Sequence, residues 1–254
     1  EYFKVSLGTP SGADWFPARA FLDDERVLET LWNRASEAAK TSDRAYLKQS
    51  VFGSYLWLLC VSGIGTYLLA RRVPDLSAGN TVLHVNHEGW IDALALREAR
   101  FACLPDDPAS GSPHATVVPD LDALRRFYLR GLLDENLAPL MDAMKSRYKY
   151  GLRAMQETLA DRIAGTLIWL LKEHGGGERV HGEVGAFLGL LPYTTKSGVL
   201  EVPFEGRCEL FLKRASCCMS YRLPQYGLCT SCPLQPEEER VARFQAYLAN
   251  PEAD

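Results

Sequence analysis

The sequence predicts an α+β fold: a predominantly helical body with a small β element, followed by a C-terminal β-hairpin and a cysteine-rich loop. Three observations carry this. Apolar residues recur at helical spacing over long stretches, as at Leu121, Leu124, Leu129, Leu132 and Leu133. Residues 197–215, SGVLEVPFEGRCELFLKRA, alternate on both sides of Glu205-Gly206, as a hairpin does. Four of the seven cysteines then crowd into residues 217–232.

Along the chain, residues 1–8 alternate loosely through Tyr2, Lys4 and Ser6 and predict a short strand, ended by Pro10 and Gly12. Residues 14–40 read as helical, with Phe21, Leu28, Leu31 and Trp32 at helical spacing and Asp23, Asp24 and Glu25 in an early turn. Thr41, Ser42 and Asp43 offer an N-cap to the next helix, which enters residues 49–70, a stretch without charge. Lys48 precedes this stretch and Arg71-Arg72 follow it. About 20 apolar residues suffice to span a bilayer, but Ser50, Gly53, Ser54, Ser62, Gly63, Gly65 and Thr66 dilute this run. It reads as a buried core helix, or as two helices broken near Gly63, with membrane contact as the alternative.

Residues 76–104 change character: NTVLHV and IDALALREARFACL predict a strand pair, with turn signals at Ser77-Ala78-Gly79-Asn80 and Glu88-Gly89. Residues 106–113, DDPASGSP, predict a loop, the candidate for either a flexible connection or an internal boundary. Helices are expected from 120 to 174, with an apolar stripe continuing through Leu137, Leu140, Met141 and Met144 and Pro139 near a helix start. The last of these, over 152–172, is ended by Gly175-Gly176-Gly177. A short helix follows at 181–191, and residues 237–250 form a final amphipathic helix with acids at its N-terminus. Two regions are expected: a mainly helical body over 1–198 and a module of hairpin, cysteine loop and terminal helix over 199–254.

At 254 residues with 47% hydrophobic and 24% charged content, the chain can bury a sizeable core without disulfide staples. A net charge of −4 argues against a general nucleic-acid binder, which needs a basic surface. The odd cysteine count and its clustering fit a reducing compartment with one metal site better than a secreted disulfide scaffold. No P-loop and no strand-associated G-x-G-x-x-G is present.

Residues 213–234 read KRASCCMSYRLPQYGLCTSCPL, with spacing C-C-x10-C-x2-C. Four thiolates suffice for a closed zinc site or for a [2Fe–2S] cluster. Two residues between Cys229 and Cys232 let a turn aim both sulfurs at one point. Neighbouring side chains on a strand face opposite ways, so Cys217 and Cys218 converge only if the chain bends sharply. Structural zinc sites space paired cysteines by two to four residues, so the adjacent pair favours iron–sulfur over zinc. A vicinal disulfide or unrelated buried thiols are the remaining readings.

This stretch resembles the C-terminal signature of the ferric siderophore reductase family typified by FhuF. The resemblance rests on Arg214, Ser216-Cys217-Cys218, Tyr221-Arg222-Leu223-Pro224, and Cys229 to Cys232 followed by Pro233. It covers about twenty residues, and no second motif of equal quality lies upstream. It implies a [2Fe–2S] cluster on Cys217, Cys218, Cys229 and Cys232, in a cytoplasmic enzyme, or one at the inner face of the membrane, that releases iron from imported siderophores. Its partners are then a ferric siderophore, of hydroxamate type, and an external electron donor such as a ferredoxin, a flavin reductase or a thiol. Ser216, Ser220 and the loop N–H groups are candidate donors to sulfur, and Arg214, Tyr221, Arg222 and Tyr226 candidate substrate contacts.

His84 and His87 are three apart and can be read as a metal pair, but a strand end and a polar turn explain them equally. His181 is expected to begin a helix, His174 to sit at a helix C-terminus, and Cys60, Cys103, Cys208 and Trp169 to belong to the core. Two other functions compete with a reductase: a non-catalytic protein with a structural zinc or iron–sulfur site, and a redox sensor. No helix-turn-helix or basic patch supports the sensor.

Overall fold

The computed structural model describes residues 4–250. The fold is α+β and mainly helical, as the sequence predicts. The chain divides into two compact units, Glu1–Leu152 and Arg153–Asp254. The division falls at 152/153 rather than at 198/199, and not in the 106–113 loop.

In the first unit, strand β1 (Lys4–Leu7) confirms the expected N-terminal strand; Tyr2 lies outside the described residues. The region read as one helix from residue 14 differs. It opens with strand β2 (Trp15–Pro17), followed by α1 (Ala20–Asp23) and α2 (Glu25–Ala38). Pro17 has no N–H to give a helix, and β2 instead pairs antiparallel with β4 (Thr81–Val85), Phe16 opposite Leu83. Asp24 caps α2 through a hydrogen bond from the Arg26 N–H, 3.0 Å.

The uncharged stretch lies in one unbroken helix, α3 (Arg44–Ala70). Asp43 caps it by accepting from the Tyr46 N–H at 2.9 Å, and Arg71 ends it in a left-handed conformation, φ 53°. By length and composition α3 can cross a membrane, yet most of its apolar stretch is buried in the structure. Its hydroxyls fold back onto the helix or onto neighbours: Ser62 donates to Leu58 O, and Ser54 Oγ accepts from Ile91 N at 2.9 Å. Buried polar groups are thus satisfied without breaking the helix.

Gly63 marks a close approach, not a break. A Cβ there would lie 2.3 Å from the ring of Tyr128, which is fully buried on α4 (Leu121–Leu129). Gly63→Ala is therefore expected to destabilise the protein by about 1–3 kcal/mol, the usual cost of overpacking. A urea titration checks this, and an unchanged midpoint would refute the close contact.

After α3 come β3 (Arg72–Pro74), then β4, β5 (Ile91–Leu96), β6 (Phe101–Cys103) and β7 (Ala115–Val117). The expected strand pair is β4–β5, antiparallel, with Leu83 opposite Leu94. It sits inside a four-stranded sheet of order β1-β5-β4-β2, in which β1 runs parallel to β5. A second sheet has order β3-β6-β7. Its β6 and β7 flank the 106–113 loop and pair parallel, Phe101 opposite Ala115. That pairing makes the loop a connection within one sheet, not a boundary.

Between α4 and α5 (Ala138–Tyr148) the helix widens into a π segment, Arg130–Leu137. It carries Asn136, fully buried, whose amide donates to Leu76 O at 2.8 Å and accepts from the Tyr55 hydroxyl at 2.6 Å.

The second unit begins with most of α6 (Leu152–Glu173) and continues through α7 (Val180–Gly189), the hairpin β8 (Gly198–Phe204) and β9 (Arg207–Lys213), the cysteine loop, and α8 (Glu237–Ala249). Glu205 and Gly206 both take positive φ, 47° and 77°, the geometry of a two-residue type I′ turn. Leu200, Val202 and Phe244 form a small core joined by Phe211, Val241 and Leu248. Phe211 and Phe244 stack with centroids 4.0 Å apart. Helix α6 lies close to β9: a Cβ added at Gly165 would stand 3.4 Å from the Leu212 side chain, and Lys172 reaches Glu209 at 3.2 Å. These contacts explain why α6 belongs with the hairpin and why the unit starts well before residue 199.

Candidate metal centre

The hairpin register places Lys213 opposite Gly198, so the chain leaves β9 directly into the cysteine segment. Asp161, on α6 and only 5% exposed, catches it there. One carboxylate oxygen accepts from Ala215 N at 2.8 Å; the other accepts from Ser216 N at 2.7 Å and from Ser216 Oγ at 2.6 Å. Burial raises the pKa of Asp161, and the Ser216 and Ala215 hydrogen bonds oppose that rise. Ser216 is therefore spent on Asp161 and is not a donor to sulfur, contrary to the sequence expectation.

Directly after Cys217-Cys218, Met219 takes a left-handed conformation, φ 62°, and a 3-10 turn follows at Ser220–Arg222. This is the sharp bend that the adjacent cysteines require. Met219 N donates to Cys217 Sγ at 3.4 Å, and Ser220 donates to Cys218 through both its backbone N–H and its side chain. Buried Leu223 tucks the loop inward. A turn with Cys232 N donating to Cys229 O at 3.0 Å then brings the second pair round.

The sulfurs meet across the loop. Cys217 is within hydrogen-bond reach of Cys232, and Cys218 of Cys229. Cys232 is 1% exposed and the other three are half-buried. All four are free thiols. Donation from Cys229, with further help from Ser220 and Arg214, pushes the Cys218 thiol down to about 4. The same bond pushes Cys229 up, and burial raises Cys217. Arg214 Nη1 lies 4.0 Å from Cys229 Sγ, so a cation sits beside the site.

Among the described residues, no three His, Cys, Asp or Glu side chains are grouped as a single metal ion demands. A [2Fe–2S] cluster asks for something else, two thiolates at each of two irons. Two facing thiol pairs, with Arg214 alongside and its Nε buried without a hydrogen-bond partner, are a donor set that fits such an anionic group.

Two arginines of α8 hold the loop from outside. Arg240, buried, reaches Arg214 O at 3.4 Å; Arg243 donates to Leu228 O at 3.1 Å. One thus grips the chain ahead of the first cysteine pair and the other the residue before Cys229. Asp161, Arg240 and Arg243 all escape the sequence reading. A lone acid in the apolar run LADRIAGTL, and arginines three apart on a helix otherwise read only as amphipathic, were the available signals.

The other candidates divide. Tyr221, Arg222 and Tyr226 are exposed on the loop, Tyr226 at 57%. His84 is engaged by Asp92, Nδ1 to Oδ1 2.6 Å, while the His87 side chain is 91% exposed; they form no metal pair. His181 is the second residue of α7, and His174 follows the α6 C-terminus, as expected. Cys60 and Cys103 are buried, but Cys208 is exposed, because β9 turns it away from the small core that Phe211 joins. Trp169 is likewise 42% exposed, not core, on the outer face of α6.

Residues 49–210 match the family described as ferric iron reductase FhuF-like transporter. Residues 214–234 match the FhuF 2Fe-2S C-terminal domain. No curated protein matches. Among solved structures, aerobactin synthetase IucC from a hypervirulent pathotype of Klebsiella pneumoniae is similar at 16% identity and a TM-score of 0.40, over 68% of this chain and 32% of that one. The present chain thus spans about a third of that protein's length. With the family match covering well over half of its residues, the chain belongs to the FhuF-like ferric iron reductase family and carries that family's 2Fe–2S domain at its C-terminal end.

Proposed function

We propose that this chain reduces ferric siderophores by one electron, and that Cys217, Cys218, Cys229 and Cys232 hold its [2Fe–2S] cluster. The observation that carries the reading is the convergence of two thiol pairs beside Arg214, inside the segment that matches the 2Fe–2S domain. Such a cluster accepts and gives up one electron at a time.

The chain's own residues do the rest. Met219 N and Ser220 donate to sulfur and stabilise thiolate charge. Arg214 adds a cation at Cys229. Leu223 and the α8 arginines hold the loop closed around the thiols. Tyr221, Tyr226 and Arg222 offer aromatic faces and guanidinium donors to a ligand at the loop surface.

The substrate iron is bound by hard oxygen donors, which hold Fe(III) far more tightly than Fe(II). One electron passed to Fe(III) therefore makes it releasable, and the siderophore leaves unchanged. The electron comes from an external donor, a ferredoxin, a flavin reductase or a thiol, on the cytoplasmic side of the membrane.

Anaerobically purified protein should contain two irons and two acid-labile sulfides per chain, with visible bands that bleach on reduction. Reduced protein mixed with a ferric hydroxamate should reoxidise and yield one Fe(II), captured by a ferrous chelator. A cluster-loaded protein that leaves ferric hydroxamates untouched would sink the reductase reading. One zinc per chain and no sulfide would support a structural metal site instead.

A further inference from the structure

We infer that Asp161 is the positioning residue of this centre: one buried carboxylate fixes the backbone ahead of Cys217 and also balances the charge of Arg214 beside Cys229. The inference rests on the cluster reading above and deepens it.

Two independent contacts support it. The first is the set of three hydrogen bonds from Ala215 and Ser216, at 2.6–2.8 Å, which ends one residue short of the first ligand pair. A carboxylate is costly to bury unless its oxygens are satisfied, and here the donors come from the segment that delivers the cysteines. The second is Arg214. Its Nε lies 3.9 Å from Asp161 Oδ2, buried without a hydrogen bond, while its Nη1 lies 4.0 Å from Cys229 Sγ. The guanidinium stands between the carboxylate and a sulfur of the opposite pair. Asp161 therefore touches the first half of the site through the backbone and the second half through a charge.

The sign of the effect follows. Reduction adds negative charge. Removing the carboxylate leaves Arg214 unbalanced and favours the reduced state; removing the guanidinium does the reverse. A purely structural anchor has no reason to produce opposite signs.

The experiment measures iron and sulfide content and midpoint potential for the wild type, Asp161→Asn, Arg214→Gln and Ser216→Ala. Asp161→Asn keeps the side-chain shape and should raise the potential, by about tenfold in the one-electron equilibrium, about 59 mV. Arg214→Gln should lower it by a similar factor. Ser216→Ala removes one hydrogen bond but keeps the charge, and should shift the equilibrium by less than about threefold, on the same one-electron scale. Shifts of the same sign in the two charge variants, no shift in either, or a Ser216→Ala shift as large as that of Asp161→Asn would overturn the inference. Should Asp161→Asn lose its cluster while Ser216→Ala keeps it, the positioning half is supported. Arg214→Gln then decides the charge half, and an unchanged or raised potential refutes it. A wild-type protein without iron and sulfide would refute the cluster reading itself, whereas a loaded wild type with unshifted variants refutes only this inference.

Discussion

Replacing any one of Cys217, Cys218, Cys229 or Cys232 by Ser should abolish the visible spectrum and lower ferric-hydroxamate reduction by more than about 100-fold, since loss of even an outer partner of a metal ligand costs up to that much. The argument is chemical first. A serine oxygen is harder and far less acidic than a thiol, so it is a poor substitute where soft thiolate donors are wanted. It is also geometric. The sulfurs face each other as Cys217 with Cys232 and Cys218 with Cys229, so every single replacement leaves one pair with a lone thiol. Cys208→Ser supplies the contrast: it alters an exposed thiol on β9, outside the loop, and should keep full iron content and full rate. Iron, sulfide and rate measured on the same preparations check both halves. A loop variant that retains both cluster and rate would remove its cysteine from the ligand set, and a Cys208 variant that loses both would enlarge it.

The cysteine site was legible because its information is local. Four thiols within sixteen residues, and a hairpin whose turn residues are Glu205-Gly206, can be read without knowing what lies elsewhere in the chain. The final helix was legible for the same reason, from its acidic start and its apolar spacing. What stayed hidden depends on partners distant in sequence. Trp15–Pro17 became a strand because β4 offers an edge some seventy residues later, while the local pattern reads as the start of a helix. Gly63 looked like a break because a lone glycine weakens a helix, whereas its role is set by Tyr128 across the core. The π segment at Arg130–Leu137 leaves the apolar spacing intact, so periodicity does not reveal it. Asp161 is the clearest case. Its function lies in Ala215 and Ser216, more than fifty residues away, and only the fold brings them together.

Phe244→Ala should be strongly destabilising, costing about 3–5 kcal/mol, the range for truncating a buried aromatic. The core between hairpin and α8 is small: Leu200, Val202 and Phe244, with Phe211, Val241 and Leu248 at its rim. Loss of the ring removes buried area and also a stacked pair with Phe211, itself worth about 0.5–1.5 kcal/mol. So few neighbours can collapse only partly into the cavity. The consequence passes from packing to the centre because α8 carries Arg240 and Arg243, which hold Arg214 O and Leu228 O. If the ring no longer seats the helix, both grips on the cysteine loop loosen together. Chelator-driven loss of iron should therefore quicken in Phe244→Ala, in step with a lower urea midpoint. Tyr247→Ala, an exposed residue of the same helix, should change neither. A Phe244 variant that unfolds earlier yet keeps its iron as long as the wild type would show that the loop holds its shape without α8, and that Asp161 and the bend at Met219 are sufficient to hold it.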